Sequence, residues 1–106
     1  IKTMGKKQNK IFKRQCLGSG AMISFEVFGG EKEAFKFLNN LKLIKLAVSL
    51  GSNESLAQHP YSMTHADVPD DIKLKIGINQ GLIRLSVGIE SAEDIISDLN
   101  NAFKEI

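Results

Sequence analysis

The 106-residue chain has no tryptophan, one cysteine, one tyrosine and two prolines. The lone Cys16 cannot close an internal disulfide, and no group of cysteines and histidines has metal-ligand spacing. A disulfide framework is therefore excluded, and no metal site is expected. The same scarcity fits a reducing compartment, so the expected location is cytoplasmic. No apolar run approaches the ~20 residues that cross a bilayer, and no signal peptide is visible, so no membrane partner is expected. The basic run at the front carries no interleaved aromatic except Phe12. That is too little to stack single-stranded bases, and no nucleic-acid partner is expected.

What is present is ordinary for a globular protein: 42% apolar and 25% charged residues, with a formal net charge of +2. A chain of this length makes one domain with a modest core. Its positive excess is concentrated in Lys2, Lys6, Lys7, Lys10, Lys13 and Arg14, which precede every acidic residue. Residues 1–15 therefore read as a basic, solvated N-terminal segment, continuing through a flexible "LGSGA" lead-in, and residues 16–106 as the folded domain. The chain opens on Ile1, which implies either a piece of something longer or a native start at Met4.

Hydrophobic periodicity divides the rest. "MISFEVF" (Met22–Phe28) predicts a strand with Ile23, Phe25 and Val27 on one face, broken by Gly29-Gly30. Residues Glu31–Leu41 predict a helix whose Ala34, Phe37, Leu38 and Leu41 form one stripe, with Glu31 and Glu33 suited to the positive end of its dipole. Ile44–Leu50 predicts a strand with Leu46, Val48 and Leu50 on the core face and Ser49 opposite. Residues 52–56 suggest a short helical turn capped by Ser52 or Asn53, and "YSMTHA" (Tyr61–Ala66) an extended segment. Pro69 and Asp70 open a short helix that Gly77 closes.

Gly81–Glu90 alternates strictly. Ile83, Leu85, Val87 and Ile89 face one way, and Arg84, Ser86 and Gly88 the other. From Ser91 to the end the pattern is helical, with Ser91 and Asp94 spaced as a capping box. Ile95, Leu99, Ala102, Phe103 and Ile106 form its apolar stripe. Alternating strands and helices with short connections predict a small sheet covered by two main helices.

Chemistry is concentrated on the polar faces. An arginine fixed on the non-core side of a rigid strand can grip a planar carboxylate through two parallel N–H bonds, which makes Arg84 the leading candidate. Ser49 would add a hydroxyl if the two strands share a sheet, and Gly51 would let a backbone N–H come close to a ligand. The pattern alone favours a plainer reading, with Arg84 an exposed strand arginine and Ser49 a polar filler. His65 has no evident partner for general-base work, and His59, before Pro60, reads as structural. Cys16 has basic neighbours but no histidine. "GSG" at Gly18–Gly20 precedes a strand instead of opening a helix, so it makes a poor phosphate loop.

Three stretches carry a resemblance: "GSGAMISFEVFGG" (Gly18–Gly30), "SLGSNESLAQHPYSMTH" (Ser49–His65) and "GLIRLSVGIES" (Gly81–Ser91). They closely resemble the C-terminal domain of the Cys/Met-metabolism pyridoxal-phosphate enzymes, a family that includes methionine γ-lyases, cystathionine γ-lyases and cystathionine γ-synthases. The resemblance covers about Gln15 to Ile106 and does not extend clearly to residues 1–14. It implies an α+β fold with a small, mainly antiparallel sheet, the C-terminal domain of a fold-type I pyridoxal-phosphate enzyme that closes over a larger cofactor-bearing domain. By that resemblance Arg84 binds the substrate α-carboxylate, Ser49 and the backbone N–H of Leu50 help position it, and Thr64 lines the same region.

The resemblance also implies pyridoxal 5'-phosphate in the complete enzyme, with the Schiff-base lysine on the large domain. No catalytic residue and no bound cofactor are then expected on this chain alone. The implied partners are a small amino-acid substrate, the large domain, and further subunits of a homotetramer. Val48, just before the serine, stands where cystathionine enzymes commonly carry a glutamate. An apolar side chain there suits a thioether, so the expected activity is that of a methionine γ-lyase, releasing methanethiol, ammonia and 2-oxobutanoate. Two alternatives are a cystathionine γ-lyase or γ-synthase fragment and a free-standing, non-catalytic interaction module.

Overall fold

The computed structural model describes residues 5–106, so Lys2 of the basic segment lies outside the described residues. In chain order the elements are α1 (Lys6–Gln15), β1 (Met22–Glu26), α2 (Glu31–Asn40), β2 (Lys45–Leu46), β3 (Leu56–Gln58), α3 (Asp70–Lys75), β4 (Leu82–Ser86) and α4 (Ala92–Phe103). The strands form one sheet in the order β1-β4-β3-β2. β4 is antiparallel to both β1 and β3, and β2 runs parallel to β3. The architecture is thus the expected α+β, with a mixed and mostly antiparallel sheet.

The core forms where the inner face of the sheet meets α2 and α4. Ile83 and Leu85 of β4 are buried, and the register sets Phe25 of β1 beside Ile83 and Ala57 of β3 beside Leu85. α2 contributes Ala34, Phe37 and Leu38, and α4 contributes Ile95 and Ala102. Phe37 packs edge-on against Phe25 and tilted against Phe103, with ring centroids 5.6 and 4.5 Å apart. Each fully buried aliphatic or aromatic side chain contributes roughly 1.5–3 kcal/mol relative to exposure. The α2 stripe is the one its spacing predicts.

The turn from α2 into β2 is held by a carboxylate. Asp98 of α4 is buried and accepts backbone N–H bonds from Lys42 (2.9 Å), Leu43 (3.0 Å) and Ile44 (2.9 Å). Three donors that no strand or helix could satisfy are thereby paired. Nothing in the local pattern marks this aspartate, because its partners lie more than fifty residues away.

Several local expectations are corrected. Lys6–Gln15, read only as a basic, solvated segment, is a helix; lysine, glutamine and arginine are good helix formers. The strand expected over Ile44–Leu50 is two residues long. After Ala47 N–H bonds Ala57 O the chain leaves the sheet, so Leu46, Val48 and Leu50 are about half exposed instead of buried. Residues 51–54 bend instead of forming a helical turn and lead into β3. Residues 60–67 wind through turns, with Met63 N–H on His59 O and His65 N–H on Pro60 O, where an extended run was expected. Ser91 sits at the N-cap of α4 without a side-chain cap bond. Ile23, Ile89, Phe103 and Ile106 lie at the margins of the core and are exposed, because the sheet and α4 end before they can be covered.

Candidate functional site

The outer face of the sheet carries a polar row across three strands. In register, Arg84 of β4 stands between Ser24 of β1 and Gln58 of β3. Arg84 is half-buried, and its Nη2 donates to Val48 O at 2.9 Å. Two residues further along the same face, buried Ser86 accepts the Gly51 N–H on its Oγ at 2.9 Å. Alternation places residues 84 and 86 on one side of the strand, and together they fasten both ends of the segment 48–51.

Ser49 and Leu50 are the exposed centre of that fastened segment. Among the described residues, neither the Ser49 hydroxyl nor the Leu50 N–H is engaged in a hydrogen bond. Gly51, at φ +69°, makes the turn that returns the chain to Ser86, a conformation that disfavours other side chains. The structure therefore brings Val48, Ser49, Leu50 and Arg84 to one end of the outer face. It does so without the second polar-faced strand that the sequence implied. β2 is the edge strand, separated from β4 by β3, and Ser49 lies on a loop whose neighbouring residues Val48 and Gly51 are bonded to the row.

Thr64 joins by a different route. Gln58, almost fully buried, lies beside the guanidinium. The amide orientation that avoids setting its NH2 against the arginine donors turns its oxygen to Arg84, 3.0–3.1 Å from all three guanidinium nitrogens. Near-equal distances to three nitrogens put that oxygen over the guanidinium plane instead of at its N–H edge. The same end of the amide lies 3.4 Å from Thr64 Oγ1, which is 2.9 Å from His65 Nδ1. Thr64 is thus linked to Arg84 through Gln58. Sequence reasoning passed over Gln58 because β3, three residues long, is too short to show an alternation.

The two histidines divide as their contexts suggest. His59 is buried, with Nδ1 2.8 Å from Ser62 Oγ and Nε2 2.7 Å from Gln80 O. The carbonyl can only accept, so Nε2 carries the proton and the ring is a structural bracket. A surface cavity of about 400 Å³ lined by Glu26, Gly30, Tyr61, Leu74, Asn79, Gln80 and Gly81 contains no basic side chain. It shares no residue with the Arg84 row.

Behind the row, Glu90 ties the two loops together. It accepts the Ser55 N–H at 2.6 Å and the Ser55 hydroxyl at 2.7 Å, and Gly88 N–H donates to Ser55 Oγ at 2.9 Å. A Cβ at Gly88 would strike Asn53 O, so the loops can approach this closely only at glycine. The two bonds from Ser55 hold the Glu90 carboxyl below its ordinary 4.5. A depressed carboxylate stabilises the fold above its unfolded-state value and loses that contribution as pH falls through the folded value. Replacing Glu90 with Gln should therefore flatten the fall in stability below about pH 4.5. Thermal melts of the two forms across pH 3–6 check this.

The donor set bears on what the chain could hold. Lys73 is the buried lysine among the described residues. Its Nζ is occupied by Asp70 Oδ1 (3.2 Å) and Ala66 O (3.4 Å), and lies 4.2 Å from the centre of the Tyr61 ring. An amine so engaged does not fit a site for an aldehyde cofactor.

The sheet domain thus carries a polar outer face with an exposed loop fastened to it by Arg84 and Ser86. Residues 3–104 match the model of the Cys/Met metabolism PLP-dependent enzyme family. The chain belongs to that family, as its C-terminal region, and the match takes in the basic segment that the sequence motifs left outside. It is 51% identical over 98 residues to an L-methionine gamma-lyase of Fusobacterium nucleatum subsp. polymorphum, covering 92% of this chain and 25% of that protein. It is 50% identical over 97 residues to the cystathionine gamma-lyase of Mus musculus, covering 92% and 24%. The crystal structure of cystathionine gamma-lyase from Lactobacillus plantarum complexed with L-serine superposes with a TM-score of 0.85 at 45% identity, covering 92% of this chain and 26% of that one. The chain thus spans about a quarter of the length of the relatives it matches. Among the described residues, no helix is long and apolar enough to cross a membrane.

Proposed function

We propose that residues 16–106 are the substrate-closing domain of a pyridoxal-phosphate-dependent carbon–sulfur lyase, and that the complete enzyme acts on methionine. The observation that supports this is the half-buried Arg84 guanidinium bonded to Val48 O, immediately before the exposed Ser49 and Leu50, whose hydroxyl and N–H have no partner among the described residues. A cation and two neutral donors on a rigid frame suit a carboxylate. In this reading Arg84 takes the α-carboxylate, Ser49 and Leu50 add donors to it, and Thr64 steadies the arginine from behind. The cofactor, seated on the remainder of the enzyme, supplies carbanion stabilisation. This domain supplies orientation. The reading places the enzyme in the cytoplasm as a homotetramer.

Methionine is favoured over cystathionine by Val48. Its carbonyl is taken by Arg84, so its side chain belongs to the same corner, where it is 54% exposed. A thioether tolerates an apolar neighbour, whereas the second ammonium of cystathionine would lose hydration without a partner. In the complete enzyme, methanethiol release from L-methionine should exceed cleavage of L-cystathionine in kcat/KM. Val48→Glu should shift that ratio towards cystathionine by about tenfold, the scale of one added charge contact. A wild-type preference for cystathionine, with no change in the variant, would refute the assignment.

A further inference from the structure

We propose that Gln58 is a positioning residue for Arg84, and that its neutrality keeps the guanidinium available to an anionic substrate. The inference rests on Arg84 being the carboxylate-binding group. Gln58 is 1% exposed and stands directly opposite Arg84 in the β3–β4 register. Its oxygen lies over the guanidinium plane, 3.0–3.1 Å from each nitrogen. A dipole placed there fixes the tilt of the plane while leaving the N–H edge without a partner among the described residues, apart from the bond to Val48 O. The Thr64 hydroxyl, 3.4 Å away, and the β3 backbone hold the amide in turn. The guanidinium is thus clamped on its face and at one corner, and the remaining edge is presented.

The neutral amide has a chemical reason. A carboxylate at residue 58 would sit at contact distance from the arginine in a partly buried site and pair with it. An arriving substrate carboxylate would then compete with an internal one that needs no translational entropy to bind. An amide offers the same reach and a similar volume with no net charge, so it orients without competing.

The test uses the complete holoenzyme and two probes measured by calorimetry. L-norleucine has a methionine-length chain and no sulfur leaving group, and norleucinol lacks only the carboxylate. Gln58→Glu should weaken norleucine at least tenfold while changing norleucinol little, because the introduced charge acts on the carboxylate alone. Gln58→Met, similar in volume and uncharged, should weaken norleucine about threefold, also selectively, by loosening the guanidinium. A purely structural role would lower the melting temperature and weaken both probes equally. That result, or an unchanged norleucine-to-norleucinol ratio in both variants, overturns the proposal. Arg84→Ala in the same assay separates the two ideas. If it abolishes the ratio while the Gln58 variants preserve it, only the role of Gln58 falls; if Arg84→Ala itself leaves the ratio intact, the carboxylate reading falls with it.

Discussion

Arg84→Ala in the complete enzyme should lower kcat/KM by roughly 10²–10³-fold. Truncating one partner of a hydrogen-bonded charge pair in a desolvated site costs about 2–5 kcal/mol. The loss should appear in both parameters. KM rises because a principal anchor is gone, and kcat falls because a substrate held by fewer points spends less time with its reacting bond aligned. Arg84→Lys should recover only part of the loss, since an ammonium cannot reproduce the two parallel N–H donors of the fork. The fold should survive, because Arg84 is half-buried and its own structural bond, to Val48 O, is one of two that fasten the exposed segment 48–51. Steady-state kinetics on the three forms, with melting curves as a control, decide this. Near wild-type kcat and KM in the alanine form would remove Arg84 from the site.

Asp98→Ala should lower stability by about 3 kcal/mol, as much as emptying a core position. It would strand the N–H groups of Lys42, Leu43 and Ile44, of which Ile44 is buried and Leu43 half-buried. A buried donor left unpaired costs about 1–3 kcal/mol, and a water can reach only the outermost of the three. Asp98→Asn keeps one acceptor oxygen and should fall between the two. Amide hydrogen exchange in the complete protein gives a local readout: protection at residues 42–44 should collapse in the alanine form before protection in β4 does. Unchanged exchange there would show that the turn from α2 is held by packing alone.

These two residues show how unevenly the sequence discloses its structure. Arg84 could be singled out from a ten-residue window, because strict alternation in Gly81–Glu90 separates a core face from a polar face at a period that any strand must obey. The α2 stripe and the α4 helix were equally legible, each from spacing within one element. The same alternation offered Ser49 beside Arg84, and the resemblance added Leu50 and Thr64 as companions. It could not say how they meet. Ser49 was expected on the polar face of a strand that turned out to be two residues long, and it lies instead on a loop fastened by Arg84 and Ser86.

What failed shares one physical character. Asp98 meets its partners across fifty-four to fifty-six residues, Glu90 meets Ser55 across thirty-five, and Gln58 meets Arg84 across a strand pairing that three residues cannot announce. The order of residues alone determined the periods, the family motifs and the charge balance, because those depend on neighbours within a turn or two of chain. The clamp on the guanidinium, the fastening of the segment 48–51 and the seating of the α2–β2 turn were decided only in three dimensions. Hydrogen bonds of that kind reward the final distance between two groups and leave no periodic trace along the chain that joins them.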